Sequence, residues 1–129
     1  MAAALDFAIY FMKAVDWSIA TNDASLLRGI TSRRCEPCAS TIAVLEALSV
    51  AHQTLTGGRI RIESAGFPPG HFTVKSEYVV QIKTTQQREV IRDSQGKPVH
   101  DYAAAEDTSL VFLKWVTNRW QVVDLGGPS

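Results

Sequence analysis

Around Gly57-Gly58 the spacing of apolar residues changes from the threes and fours of helices to the alternation of strands, and it does not change back. A chain whose helices all precede its strands cannot be built from parallel strand-helix-strand units, since each such unit needs a helix between two strands. The order predicts a segregated α+β fold, with three N-terminal helices packed on one face of a curved, mostly antiparallel, four-stranded sheet. At 129 residues the chain fits one domain, spanning 1–129, large enough to bury a core without staples.

The first helix is predicted over 3–20. Leu5, Ala8, Ile9, Met12, Val15 and Ile19 share one face, and Phe7, Tyr10, Phe11 and Trp17 widen the apolar surface. Thr21-Asn22-Asp23 breaks it, and Asn22 or Asp23 can cap a short second helix through Ser25, Leu27 and Ile30. A third helix is predicted over 39–55 from Ile42, Leu45, Leu48, Ala51 and Leu55, with Gly57-Gly58 as its stop, because glycine takes the left-handed conformation without a Cβ penalty.

Beyond the glycines, Ile60 and Ile62 alternate with Arg59, Arg61 and Glu63 as a half-buried strand, and Pro68-Pro69 marks a turn. Phe72 through Ile82 alternates cleanly and predicts one long strand, broken at 84–87 before 89–92 continues it. Asp93 to Pro98 is a reversal. Leu110 to Val116 is apolar at nearly every position, which suits a central strand, and Thr117-Asn118-Arg119 returns the chain into Trp120, Val122 and Val123. Trp115 and Trp120 are expected to anchor the sheet side of the core or a subunit interface.

Charge narrows the functional classes. Lys plus Arg equals Asp plus Glu at 13 each and the pI is near 6.8, so no global field draws in nucleic acid. Asp6 and Lys13 interrupt the longest apolar stretch, which falls short of the ~20 residues a membrane helix needs. Met1-Ala2-Ala3-Ala4 carries no basic region followed by an apolar run, so the chain as it stands shows no signal peptide.

The only two cysteines stand in Cys35-Glu36-Pro37-Cys38. Two cysteines three apart can close a small disulfide ring, act as a redox dithiol or supply half a metal site. Pro37, a helix start and the neighbouring Arg33 and Arg34 would all lower a thiolate pKa. A thioredoxin site, however, follows a buried parallel strand, and residues 26–32 read as a helix and its end. Zinc wants four ligands, and His52, His71 and His100 lie in no ligand spacing, so neither a metal nor a cofactor is expected. A structural bridge or an inert reduced pair is favoured.

The opening Phe7-Ala8-Ile9-Tyr10-Phe11 helix, the Ala20-Thr21-Asn22-Asp23 break and the closing Arg119-Trp120-Gln121-Val122-Val123 resemble the nuclear transport factor 2-like superfamily. More narrowly, Thr31-Ser32, Cys35 and Cys38, the helix after them and Gly57-Gly58 resemble an uncharacterised actinobacterial family of small lipoproteins with that fold. The resemblance implies a cystatin-like cone with a pocket between the sheet and the first helices. It also implies a Cys35–Cys38 disulfide and an extracytoplasmic setting in the cell envelope, reached through a lipid anchor or signal sequence not contained in these residues. A cytoplasmic location is the alternative.

Enzymes of the superfamily, such as ketosteroid isomerases and dehydratases, move protons with acids and histidines that line the cone. The corresponding pocket candidates here are Tyr10, Asp16, His52 and Tyr78, but no pair of them matches a catalytic motif of such enzymes, and no catalytic residue is assigned. The expectation is therefore a non-enzymatic binding domain for an unknown protein or a small apolar ligand, with a homodimer left open and membrane contact only through an N-terminal anchor. A small acid-base pocket enzyme ranks second and a disulfide exchange protein third.

Overall fold

The computed structural model describes residues 2–69, 73–74 and 77–127. Helix α1 (Ala2–Thr21) buries Ala4, Ala8, Phe11, Met12, Ala14 and Ile19. Ser18 is fully buried on the same helix and donates its hydroxyl to the Ala14 carbonyl at 2.7 Å, so no polar group is stranded there. The helix gives way at Asn22, which takes a positive φ of 54°. Asp23 then accepts the Ser25 amide at 2.9 Å and opens α2 (Ser25–Ile30), as the capping pattern predicts.

Helix α3 (Glu36–Val50) begins and ends earlier than the predicted 39–55. Its start is fixed by Cys35, whose sulfur accepts the Cys38 amide at 3.3 Å, and by Pro37 in the first turn, where a missing N–H costs nothing. Its end is a Schellman closure: Gln53 N–H reaches the Leu48 carbonyl at 2.9 Å and His52 N–H the Ser49 carbonyl at 3.2 Å. His52 takes the left-handed conformation this closure needs (φ 55°), so Gly57-Gly58 is not the helix stop. Thr54 and Leu55, released from the helix, open a strand.

Among the described residues eight strands follow: β1 (Thr54–Gly57), β2 (Ile60–Gly66), β3 (Thr73–Val74), β4 (Glu77–Gln86), β5 (Glu89–Arg92), β6 (Pro98–Tyr102), β7 (Ala105–Val116) and β8 (Arg119–Gly126). All their ladders are antiparallel. In place of the single four-stranded sheet expected, there are two sheets, β2-β4-β7-β8 with β3 added against β4, and β1-β5-β6. The long strand predicted through Ile82 is also divided, since Thr73 pairs with Tyr78 and Val74 with Glu77, antiparallel, so the chain reverses between them. Phe72, His71 and Gly70 lie outside the described residues.

The two sheets share chain at one level. β1 passes into β2 through Gly58-Arg59, β4 into β5 through Gln87-Arg88, and β6 into β7 through Ala103-Ala104. Neighbouring strands therefore bend together. Gly58 N–H donates to the Arg88 carbonyl at 3.0 Å and Gln87 N–H to the Arg59 carbonyl at 2.9 Å. A Cβ on Gly57 would sit 2.1 Å from the Arg88 carbonyl oxygen, and its φ is 73°, so only glycine fits. Arg88 forks onto Asp101 across the bend, its Nε 2.9 Å from Oδ1.

The core lies between the helices and the inner face of the larger sheet. Val80, Ile82, Val111, Leu113 and Val122 are fully buried there, with Leu27, Ile42 and Leu45 supplied by the helices. Central β7 pairs with both β4 and β8, as its continuous apolar run predicts. The turn from β7 to β8 has only Thr117 and Asn118 between paired Val116 and Arg119, both with positive φ (50° and 62°), the signature of a type I′ hairpin.

Candidate binding cavity

Inward-facing positions of a strand recur every second residue, so Thr84 and Gln86 continue the face that carries Val80 and Ile82. On the neighbouring strand Asp107 and Ser109 continue the face of Val111 and Leu113, with Thr84 paired to Asp107 and Ile82 to Ser109. The sheet's inner face thus changes from apolar to polar as it nears the bend. There the helices no longer fill the space, and a cavity of about 480 Å³ opens between them and the strands. Its helix wall is mainly apolar, with Phe11, Met12, Val15 and Ile19 from α1, Leu27 from α2, and Leu45 with Cys38 from α3, joined by the hydroxyl-bearing Thr31, Ser40 and Thr41. Its strand wall is mixed, carrying Thr84, Gln86, Glu89, Asp107 and Ser109 beside the apolar Leu55, Ile60, Ala105 and Leu125.

Glu89 stands at the bend, just inside β5. Burial pushes its carboxyl above the ordinary glutamate value, since taking a charge out of water disfavours the ionised form. Gln86 donates from one Nε2 to Glu89 at 3.3 Å and to the Gly58 carbonyl at 3.0 Å, tying the carboxylate to the bend. The Glu89 side chain lies across Gly58, where an added Cβ would come within 3.1 Å of its oxygen. Asp107 accepts the Ser109 hydroxyl at 3.3 Å. Among the described residues, no Lys, Arg or His lines the cavity.

The residues singled out from sequence lie elsewhere, and none of the four lines the cavity. Asp16 on α1 accepts both forks of Arg59 at 2.8 Å and the Ile60 amide at 2.8 Å. The Arg59 hydrogen bond is the largest influence holding its carboxyl below the ordinary aspartate value, against a smaller opposing effect of burial. Tyr10 is exposed, its ring 5.9 Å from Phe7. His52 is exposed past the end of α3. Tyr78 is half-buried and meets Trp120 edge-on at 5.5 Å. Thr84, Gln86, Glu89, Asp107 and Ser109 were missed; the signal for several of them was polar residues continuing a core-facing alternation.

Cys35 and Cys38 form a disulfide with Cα atoms 5.2 Å apart, and the two residues are 0% and 4% exposed. A bonded and buried pair presents no sulfur to an attacking thiol, so the bridge acts as a pin for the start of α3, with Cys38 contributing to the cavity wall. His100 lies on exposed β6 and stacks on Tyr102 at 6.0 Å. Among the described residues no three His, Cys, Asp or Glu side chains converge as metal ligands. Nor is any described helix long and apolar enough to cross a membrane.

Helices on one face of a bent antiparallel sheet, with a cavity between the two, define the class as an α+β domain. The intermembrane-space region of the chloroplast protein ARC6, known from a crystal structure, is similar over 97% of this chain and 96% of that one, at a TM-score of 0.58 and 7% identity. At that identity the likeness is one of fold alone. No protein-family model matches the sequence, and no curated protein does.

Proposed function

We propose that this chain is a non-enzymatic binding domain of the nuclear transport factor 2-like, cone-shaped kind, which takes a small apolar molecule into the cavity between α1, α3 and the bent sheet. The observation that carries this is the cavity itself: about 480 Å³, inside the ~300–1,000 Å³ range of small-molecule sites, with a mainly apolar wall and a few convergent polar groups. The Cys35–Cys38 disulfide supports an oxidising, extracytoplasmic compartment. The similar fold found in an intermembrane-space region supports it too.

An acid-base enzyme would rest on Glu89 and not on Tyr10, Asp16, His52 or Tyr78. Burial makes that carboxyl a better proton carrier near neutral pH. Proton transfer also needs a partner group across the ligand, and the helix side offers only the hydroxyls of Thr31, Ser40 and Thr41. Binding is therefore the better-supported reading.

Titration with the neutral dye nile red tests it. Saturable, blue-shifted emission is expected, weakened at least about tenfold by Ala105→Trp, which fills the cavity from the strand side without touching the core. Absence of saturable binding, or an Ala105→Trp protein that binds as well as the native one, would overturn the reading.

A further inference from the structure

We propose that the preferred ligand is a cationic amphiphile: an apolar body ending in a protonated amine or quaternary ammonium, the body against α1 and the head between Glu89 and Asp107. This rests on the cavity being the binding site. Two carboxylates line a mainly apolar cavity whose other polar groups are neutral and whose described lining contains no Lys, Arg or His. Among the described residues neither is used in an ion pair: the pairs formed there are Arg28–Glu46, Arg59–Asp16, Arg61–Glu63 and Arg88–Asp101.

A carboxylate can accept several hydrogen bonds. Glu89 receives one side-chain donor, from Gln86 at 3.3 Å, and Asp107 one, from Ser109 at 3.3 Å. Both carboxylates line the cavity, Glu89 half-buried and Asp107 exposed, and a bound molecule would take water from them. A ligand carboxylate would meet like charge there while losing its own hydration. An ammonium would gain two opposite charges and relieve the cost of burying Glu89, a cost visible in its raised carboxyl pKa. The two walls thus favour opposite ends of one molecule. Phe11, Met12 and Ile19 take hydrocarbon, while Glu89 and Asp107 on the strand wall take the charge.

Calorimetric titration with decylamine, decanol and decanoate, each below its micellar concentration at pH 7 and low salt, separates chain from head group. Decylamine is expected to bind at least about tenfold more tightly than decanoate, the size of one charge-assisted hydrogen bond, with decanol between. In Glu89→Gln/Asp107→Asn the preference should fall to within about threefold while decanol affinity holds. Should the double variant fail to fold, Asp107→Asn alone, at the exposed start of β7, must still reduce the preference. Decanoate binding as tightly as decylamine, or a preference untouched by these variants, would overturn the charge inference and leave the cavity reading standing. Binding of none of the three would overturn both.

Discussion

Asp16 and Arg59, separated by 43 residues in sequence, meet as a two-pronged pair at 2.8 Å on both prongs, and the same carboxylate accepts the Ile60 amide at 2.8 Å. The pair fastens α1 to the first residues of β2, immediately after the strand leaves the Gly57-Gly58 bend. Its role is architectural: it holds the bend at the height where the cavity opens. Arg59 is half-exposed and its charge is screened by water, so the pair acts chiefly through its hydrogen bonds, with the Ile60 amide adding a smaller one.

Acid should release this clamp. The folded-state pKa of Asp16 is depressed, chiefly by the Arg59 hydrogen bond, so the unfolded chain takes up the proton at higher pH than the folded one. The stabilisation is complete above the ordinary aspartate value of about 3.9 and is lost as pH falls through that value toward the lower folded one. Asp16→Asn should cost on the order of 1 kcal/mol at pH 7. Urea midpoints at pH 7, 5, 4 and 3 should show the gap between native and variant closing only in the acid steps. A gap of constant size would deny the linkage.

Removing the bridge should weaken the protein without unfolding it. The ring closes only four residues, for which chain entropy gives about 2 kcal/mol. In Cys35→Ser/Cys38→Ser, a serine at the Cys35 cap can still accept the amide of residue 38. Thermal denaturation should show a cooperative transition at lower Tm with helix content retained in circular dichroism. Loss of the transition would mean that the bridge holds more than the entry to α3.

Gly57→Ala should be the most damaging small substitution at the bend. Its Cβ would lie 2.1 Å from a backbone oxygen, which cannot swing aside like a side chain, and its φ of 73° is unfavourable for alanine. A loss well above about 1 kcal/mol is expected, together with weaker nile red binding because the cavity mouth shifts. Gly96, also at positive φ (81°) but with nothing near its Cβ position, provides the control: Gly96→Ala should cost about 1 kcal/mol and leave binding unchanged.

The two strand tryptophans should behave differently. Trp120 is half-buried between Trp115 at 5.4 Å and Tyr78 at 5.5 Å, both edge-on, whereas Trp115 is 56% exposed. Trp120→Ala should therefore cost somewhat less than the ~3–5 kcal/mol of a fully buried ring, and Trp115→Ala about 1 kcal/mol or less. Equal losses in urea unfolding would show that Trp115 is covered in solution, as by a second copy of the chain.

Near-neighbour rules governed whatever the sequence alone determined. Apolar spacing set helices before strands, Asp23 marked the start of α2, the apolar run 110–116 marked a central strand, and Thr117-Asn118 marked the final hairpin, because each depends on residues a few positions apart. The tertiary structure decided what depends on distant partners. Alternation reads the same through a reversal, so only the pairing of Thr73 with Tyr78 shows that β3 and β4 are separate strands. Gly57-Gly58 reads equally as a helix stop and as a strand bend, and the Arg88 carbonyl makes it the latter. Asp16 reads as a pocket candidate until Arg59 occupies it. Glu89 and Asp107 gain meaning only when the bend brings β5 and β7 around one cavity, since burial and facing charge belong to the assembled fold and to no local stretch of chain.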